Sequence, residues 1–384
     1  MRQVLKVLAA SIVLAAAVPG HAEEKITIGG LFETSGAVAS LGQPGLEGAQ
    51  QAVAEINEGG GIRGKKLELV NINTESDNTQ TVSAAKRLIG NKDVVAIVGP
   101  LNTGSSFAII DTLQRAGIAM VSNGGSRGIV LPVDKKPWIF LAPLTDVLVQ
   151  SVMLKDMKAK GIRRIALLNS DSAFGTSGRS ELEKLVGQYG VEIAVQQTFG
   201  NNDKDMTPQL TNIRVQNPDA VVIWSTGPAQ AVAARNVRQL GLSMPVYLSH
   251  AANDYNFLRL AGDASNGVFI PSSKLYVADA LADSDPQKSL LQRFIKGYEA
   301  RYGRPPATFA GNGYDATMMI AQAIKEAGSD RKAIRDAIEK IGSHVGVTAV
   351  YSYSPTDHFG AMPDSVEMLT VRGGKFILAS QAKQ

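Results

Sequence analysis

Residues 94–126 read VVAIVGPLNTGSSFAIIDTLQRAGIAMVSNGGS. An unbroken apolar run, Val94–Gly99, passes through the turn Pro100–Ser106 into a segment of helical spacing, Ser105–Ala116. A second apolar run, Ile118–Ser122, ends in Asn123–Gly124–Gly125–Ser126. Apolar runs that do not alternate are strands covered on both faces, as in parallel sheets. In open α/β sheets ligands lie outside the carboxyl ends of the strands. Free N–H groups and the helix dipole favour an anion there. Two adjacent strands of this kind bring the hydroxyls of Thr103 and Ser126 and several bare amides to one small region, which suits a carboxylate. Thr103 and Ser105 are also good helix N-caps in their own right, so the residues alone leave both readings open.

The same strand-then-helix unit repeats outward in both directions. Further strands are expected at Ile26–Gly30, Leu67–Ile72, Arg164–Asn169, Val191–Phe199, Ala220–Ser225, Pro245–Ser249 and Gly267–Ile270. Helices are expected at Leu46–Glu58, Thr79–Ile89, Asp146–Lys160, Thr176–Tyr189, Thr207–Gln216 and Ala229–Leu240. Repeated βα units make open parallel sheets, and this many strands divide better into two lobes than into one sheet. After Pro271–Ser273 the pattern changes to three helices, Pro286–Tyr302, Thr308–Ala327 and Arg331–Ile341. Short β runs follow at Ala349–Tyr353, Val366–Val371 and Lys375–Leu378. The chain is therefore expected to cross between lobes near 145, 272 and 346. Lobe 1 would hold 23–145 and 273–346, and lobe 2 146–272 and 347–384. Several crossings make a hinge, not a flexible tether.

Residues 1–22, MRQVLKVLAASIVLAAAVPGHA, have two cations, an apolar stretch and small residues before a cut after Ala22. That is the layout of a secretory signal peptide, and the apolar stretch is shorter than the roughly 20 residues of a membrane span. A periplasmic protein is expected. The chain has no cysteine, so neither a lipid anchor, a disulfide, a thiol nucleophile nor a cysteine-held metal is expected. Removing Arg2 and Lys6 leaves 37 basic against 35 acidic residues, a net +2. No basic cluster interleaved with aromatics suggests nucleic acid. The histidines beyond the leader, His250, His344 and His358, are far apart in sequence, and the hydrolase, kinase and metalloprotease motifs are absent. Gly59–Gly60–Gly61 follows a helix, so it is a C-cap and not a dinucleotide loop. The expectation is a binding protein without catalysis, cofactor or metal.

ITIGGLFETSGAVASLGQPGLEGAQQAVAEINEGGGIRGKKLELV, VGPLNTGSS, ALLNSDSAFGTSG, NPDAVVIWSTGPAQAVAARNVRQLGL and FAGNGYDATMMIAQAI together span nearly the whole chain after the leader. In these strings the protein resembles the periplasmic leucine/isoleucine/valine-binding proteins. The resemblance implies a type I periplasmic-binding fold. Two Rossmann-like lobes with parallel sheets would be joined by a three-crossover hinge, and the solute captured by lobe closure. It implies a monomer that serves an ABC permease in the inner membrane. It also implies that the ligand carboxylate is held by Asn102 and Thr103 and by the Gly124–Ser126 loop. Pocket walls would come from Leu41, Phe174, Thr226 and Phe309. Leu41 and Thr226 stand where the leucine binders have tyrosines; Phe174 and Phe309 remain aromatic, and either can also be read as ordinary core.

The sharpest departure implied by the resemblance is His250, at a position where leucine binders carry an acid that pairs with the ligand ammonium. An unpaired buried ammonium costs several kcal/mol, so a ligand without one is expected. Candidates are an aromatic or branched 2-oxo acid or a benzoate-like acid, with a hydrogen bond from His250 to an oxygen. Asp171 and Asp254 lie on nearby loops and keep leucine, isoleucine, valine or another amino acid open. A surface role for His250 and a ligand-sensing receptor module also stay open.

Overall fold

The computed structural model describes residues 24–383, so the expected leader at 1–22 lies outside the described residues. The first lobe is built on strands β1 (Lys25–Phe32), β2 (Lys66–Asn73), β3 (Val94–Val98), β4 (Ala119–Ser122) and β5 (Ile139–Leu141), in the order β2-β1-β3-β4-β5. All of its pairings are parallel. Helices α1 (Ala39–Glu58), α2 (Asn78–Gly90) and α3 (Thr103–Ala116) connect them. Every residue of β3 and β4 is buried, as their unbroken apolar sequence requires.

Helix α4 (Asp146–Ala159) opens the second lobe. It is followed by β6 (Arg164–Ser170), α5 (Ala173–Leu185), β7 (Glu192–Phe199), α6 (Thr207–Val215), β8 (Ala220–Trp224), α7 (Ala229–Gln239), β9 (Val246–Leu248), α8 (Tyr255–Ala261) and β10 (Phe269–Ser272). The chain then returns in α9 (Lys288–Tyr302), α10 (Thr308–Ala327) and α11 (Arg331–Glu339), and α10 and α11 pack on β3 and β4 of the first lobe. A small hairpin, β11 (His344–Val345) with β12 (Val350–Tyr351), precedes β13 (Glu367–Arg372) and β14 (Lys375–Leu378). These last strands join the second sheet antiparallel at its edge, in the order β14-β13-β10-β9-β8-β6-β7.

Near 346, where the third passage between sheets is expected, the chain runs beside helix α10, the Val347 N–H donating to Asp315 at 2.7 Å. Tyr351 and Tyr353 donate their hydroxyls to the carbonyls of Ala142 and Leu141, and the Leu141 N–H donates to His358 O at 2.9 Å. Residues 350–358 thus lie along the β5 edge of the first lobe, and we place the third passage between Ala361 and Glu367. Strand β5 and helix α8 were not anticipated. Helix α1 begins at Ala39, well before Leu46, and carries Pro44 inside it. Gly42, Pro44 and Gly45 are poor helix formers, and packing overrides them.

That packing is close. A Cβ on Gly48 would lie 1.8 Å from Ala310 O, and one on Gly313 1.9 Å from Gly45 O. Helices α1 and α10 therefore meet backbone to backbone, which only glycine permits. Helix α9 rests on α1 as well: Gln51 Nε2 donates to Phe294 O at 3.2 Å, and the buried Tyr298 hydroxyl donates to Glu47.

Candidate functional site

A cavity of about 160 Å³ lies between the lobes, at the carboxyl ends of both sheets. Leu41, Asn102, Thr103, Phe174, Thr226, His250 and Phe309 all line it. The structure thus brings together residues from α1, α3, α5, α10 and two second-lobe loops. Gly124 and Ser126 do not line it; their neighbours Asn123 and Gly125 do. The Gly124 N–H is spent on Ser122 Oγ at 3.0 Å. The Ser126 hydroxyl lies 2.5 Å from Ser177 Oγ and accepts from the Gly128 N–H at 3.2 Å. Both are already satisfied within the protein and lie outside the cavity lining, where Asn123 and Gly125 stand instead.

The turn before α3 is also less bare than the sequence suggests. Asn102 caps the helix, its Oδ1 accepting from the Gly104 N–H at 2.8 Å. Behind the turn, the fully buried Glu33 accepts from the N–H groups of Leu101 at 3.1 Å and Asn102 at 3.0 Å. Burial raises its pKa from 4.5 to about 7. The backbone amides of Thr103 and Gly125 remain without a protein acceptor among the described residues. Nothing in the sequence marks Glu33, a single acid in a polar turn after β1.

The opposite wall is aromatic. Ser172 Oγ caps α5 by accepting from the Gly175 N–H at 3.1 Å and so sets the position of Phe174. Phe174 stacks on the buried Trp224 with centroids 5.5 Å apart, and His250 meets both rings edge-on at 5.5 and 5.9 Å. Enclosure among these rings lowers the His250 pKa to about 4, which leaves the imidazole neutral at pH 7. A Cβ on Gly125 would lie 2.9 Å from His250 Nε2 and 3.0 Å from Phe174 Cε2. The two lobes are therefore in contact here, and the cavity is that of a closed cleft.

Neither candidate acid faces this space. Asp171 is exposed and accepts from the Asn201 N–H at 3.0 Å. Asp254 caps α8, accepting from Asn256 and Phe257, and burial raises its pKa to about 6. Among the described residues, none that lines the cavity carries a charged side chain. Its polar side chains are hydroxyls, carboxamides and the His250 imidazole. Asn123 is 2% exposed with neither amide atom partnered, and Asn253 is fully buried with Oδ1 unpartnered. Among the described residues no group of three His, Cys, Asp or Glu side chains is placed to hold a metal ion.

Residues 25–375 match the periplasmic binding protein family. The chain belongs to that family. Among relatives of this periplasmic binding protein, the Leu/Ile/Val-binding protein BraC3 of Rhizobium johnstonii is 27% identical over 349 residues, covering 87% of this chain and 89% of the relative. A type 1 periplasmic binding protein of Bordetella pertussis superposes with a TM-score of 0.83 at 25% identity, over 92% of this chain and 99% of that one. The branched-chain amino acid transporter substrate-binding protein LivJ of Streptococcus pneumoniae, solved with isoleucine, superposes with a TM-score of 0.80 at 25% identity, over 92% and 98%. The periplasmic binding protein thus has the two-lobed type I fold expected from its sequence.

Proposed function

We propose that this protein captures a small carboxylate with an apolar body and no α-ammonium group in the periplasm and presents it to an ABC permease. The relatives named for leucine, isoleucine and valine binding support the transport reading. The observation that carries the ligand reading is the lining itself. Thr103 and Gly125 offer N–H groups and Phe174 an apolar wall. A neutral His250 stands in a cleft that, among the described residues, has no charged side chain. An ammonium desolvated here would meet no carboxylate, at a cost of several kcal/mol. A carboxylate can be held by amide donors alone.

The mechanism involves no chemistry. Open lobes admit the solute and the first lobe takes its carboxylate. The second lobe then brings Phe174, Thr226 and His250 over it, and exclusion of water strengthens every polar contact.

A second reading, a branched-chain amino acid, is favoured by the isoleucine bound to LivJ. Calorimetric titration of unfolded, washed and refolded protein separates the two. Phenylpyruvate or benzoate is expected to bind more tightly than leucine. Tight leucine binding with no response to either acid would reject the proposal.

A further inference from the structure

Two carboxamides of the cleft have their polarity fixed by the protein. Asn102 Oδ1 is tied to the Gly104 N–H at 2.8 Å, so its Nδ2 is the half left over. On the second turn of α10, Asn312 Oδ1 accepts from Thr348 Oγ1 at 2.9 Å, which again leaves Nδ2. Thr348 is held in turn, because its N–H donates to the buried Asp315 at 2.7 Å. Asn312 is 3% exposed, yet it and Thr348 both line the cavity. A carboxamide whose oxygen already accepts one hydrogen bond from the protein turns its N–H₂ to the remaining neighbours, and there it donates. Both residues line one cavity of about 160 Å³, where a single small solute can reach the two groups.

We infer that Asn312 and Asn102 are paired specificity donors, and that the ligand carries two neighbouring acceptors, a carboxylate and a keto oxygen: a 2-oxo acid. The inference rests on the carboxylate reading above and narrows it. A ligand with no second acceptor leaves a buried N–H₂ unpaired, which weakens binding about tenfold. A hydroxyl accepts as well as donates and is the intermediate case. An ammonium only donates and pairs with neither Nδ2 group.

The test is a matched series on refolded protein: 4-methyl-2-oxopentanoate, 2-hydroxy-4-methylpentanoate, 4-methylpentanoate and leucine, with the corresponding 3-phenyl compounds. The expected order is oxo, then hydroxy, then the unsubstituted acid about tenfold or more weaker than the oxo acid, with leucine last. Equal binding of the oxo and unsubstituted acids overturns the donor pair but leaves the carboxylate reading standing. Binding of leucine alone overturns both. Asn102→Asp keeps the helix cap, since the two residues cap equally well, but turns a donor into an acceptor. It is expected to lose the oxo acid by more than tenfold with an unchanged melting temperature. Asn312→Asp keeps the acceptor for Thr348 and is expected to narrow the gap between oxo acid and leucine. Retention of full oxo-acid affinity in both folded variants rejects the assignment.

Discussion

Ser177 on α5 lies 2.5 Å from Ser126 of the first lobe, and its own proton goes to Asp146 at 2.6 Å, so Ser126 is the donor of the pair. Asp146 also accepts from the Arg127 N–H at 3.1 Å, and its N–H donates to Gly125 O at 3.0 Å. The loop that carries Gly125 into the cleft is thus fastened to the second lobe by groups that do not line the cavity. Ser177→Ala is expected to lower solute affinity about two- to tenfold, the worth of one hydrogen bond, and to shift the solution scattering profile of the free protein toward an open form. Unchanged affinity and scattering would show that the contact carries no closure energy.

His250 stands neutral against Phe174 and Trp224. Placing a carboxylate there supplies a partner for an ammonium and repels an anion. His250→Glu is expected to tighten leucine binding by tenfold or more, about 1.4 kcal/mol, and to weaken phenylpyruvate. A titration profile identical to that of the parent protein would place His250 outside the ligand's reach.

Glu33 titrates at about 7 when folded, against an ordinary 4.5. Between those values the folded state holds more protons than the unfolded one. The group is therefore least costly below about pH 4.5, and stability falls as pH rises through about 7. The whole effect is on the order of 3 to 4 kcal/mol, at about 1.4 kcal/mol per pH unit. Glu33→Gln removes this titration and keeps one acceptor for the turn. Its melting temperature relative to the parent is expected to rise between pH 5 and pH 8. Parallel curves would contradict the burial argument. The comparison isolates Glu33 from Asp315, whose carboxyl burial also raises, to about 6.

Gly48→Ala would set a Cβ 1.8 Å from Ala310 O, a backbone atom that cannot step aside. Destabilisation of about 2 kcal/mol or more is expected from such overpacking, read from urea midpoints. A neutral result would mean that α1 and α10 slide apart at no cost.

The sheets were legible because their strands are continuous apolar runs, and runs such as Val94–Val98 or Ala220–Trp224 have few other ways to be buried. Strand β5 was hidden because Ile139–Leu141 is too short to show a period. The return of 350–358 to the first lobe was hidden because short β runs do not say which edge they join. At the site, helix-start chemistry pointed to the turn at Thr103, which lines the cavity. It pointed also to Ser126, which does not line it and whose hydroxyl is taken up by a residue 51 positions away. Glu33 and Asn312 were not singled out for the same reason: what they do depends on partners distant in sequence, Leu101 for one and Thr348 for the other.

The backbone-tight seam between α1 and α10 has a consequence for how this periplasmic binding protein changes its preference. Leu41 and Phe309 ride on those two helices, which cannot rotate without a clash or separate without opening a void, so the cavity wall they form is a fixed mould. New solute preferences should therefore arise by exchange of residues on the opposing jaw, around Phe174, Thr226 and His250. Variants selected for altered uptake would cluster there and spare the glycines of the seam.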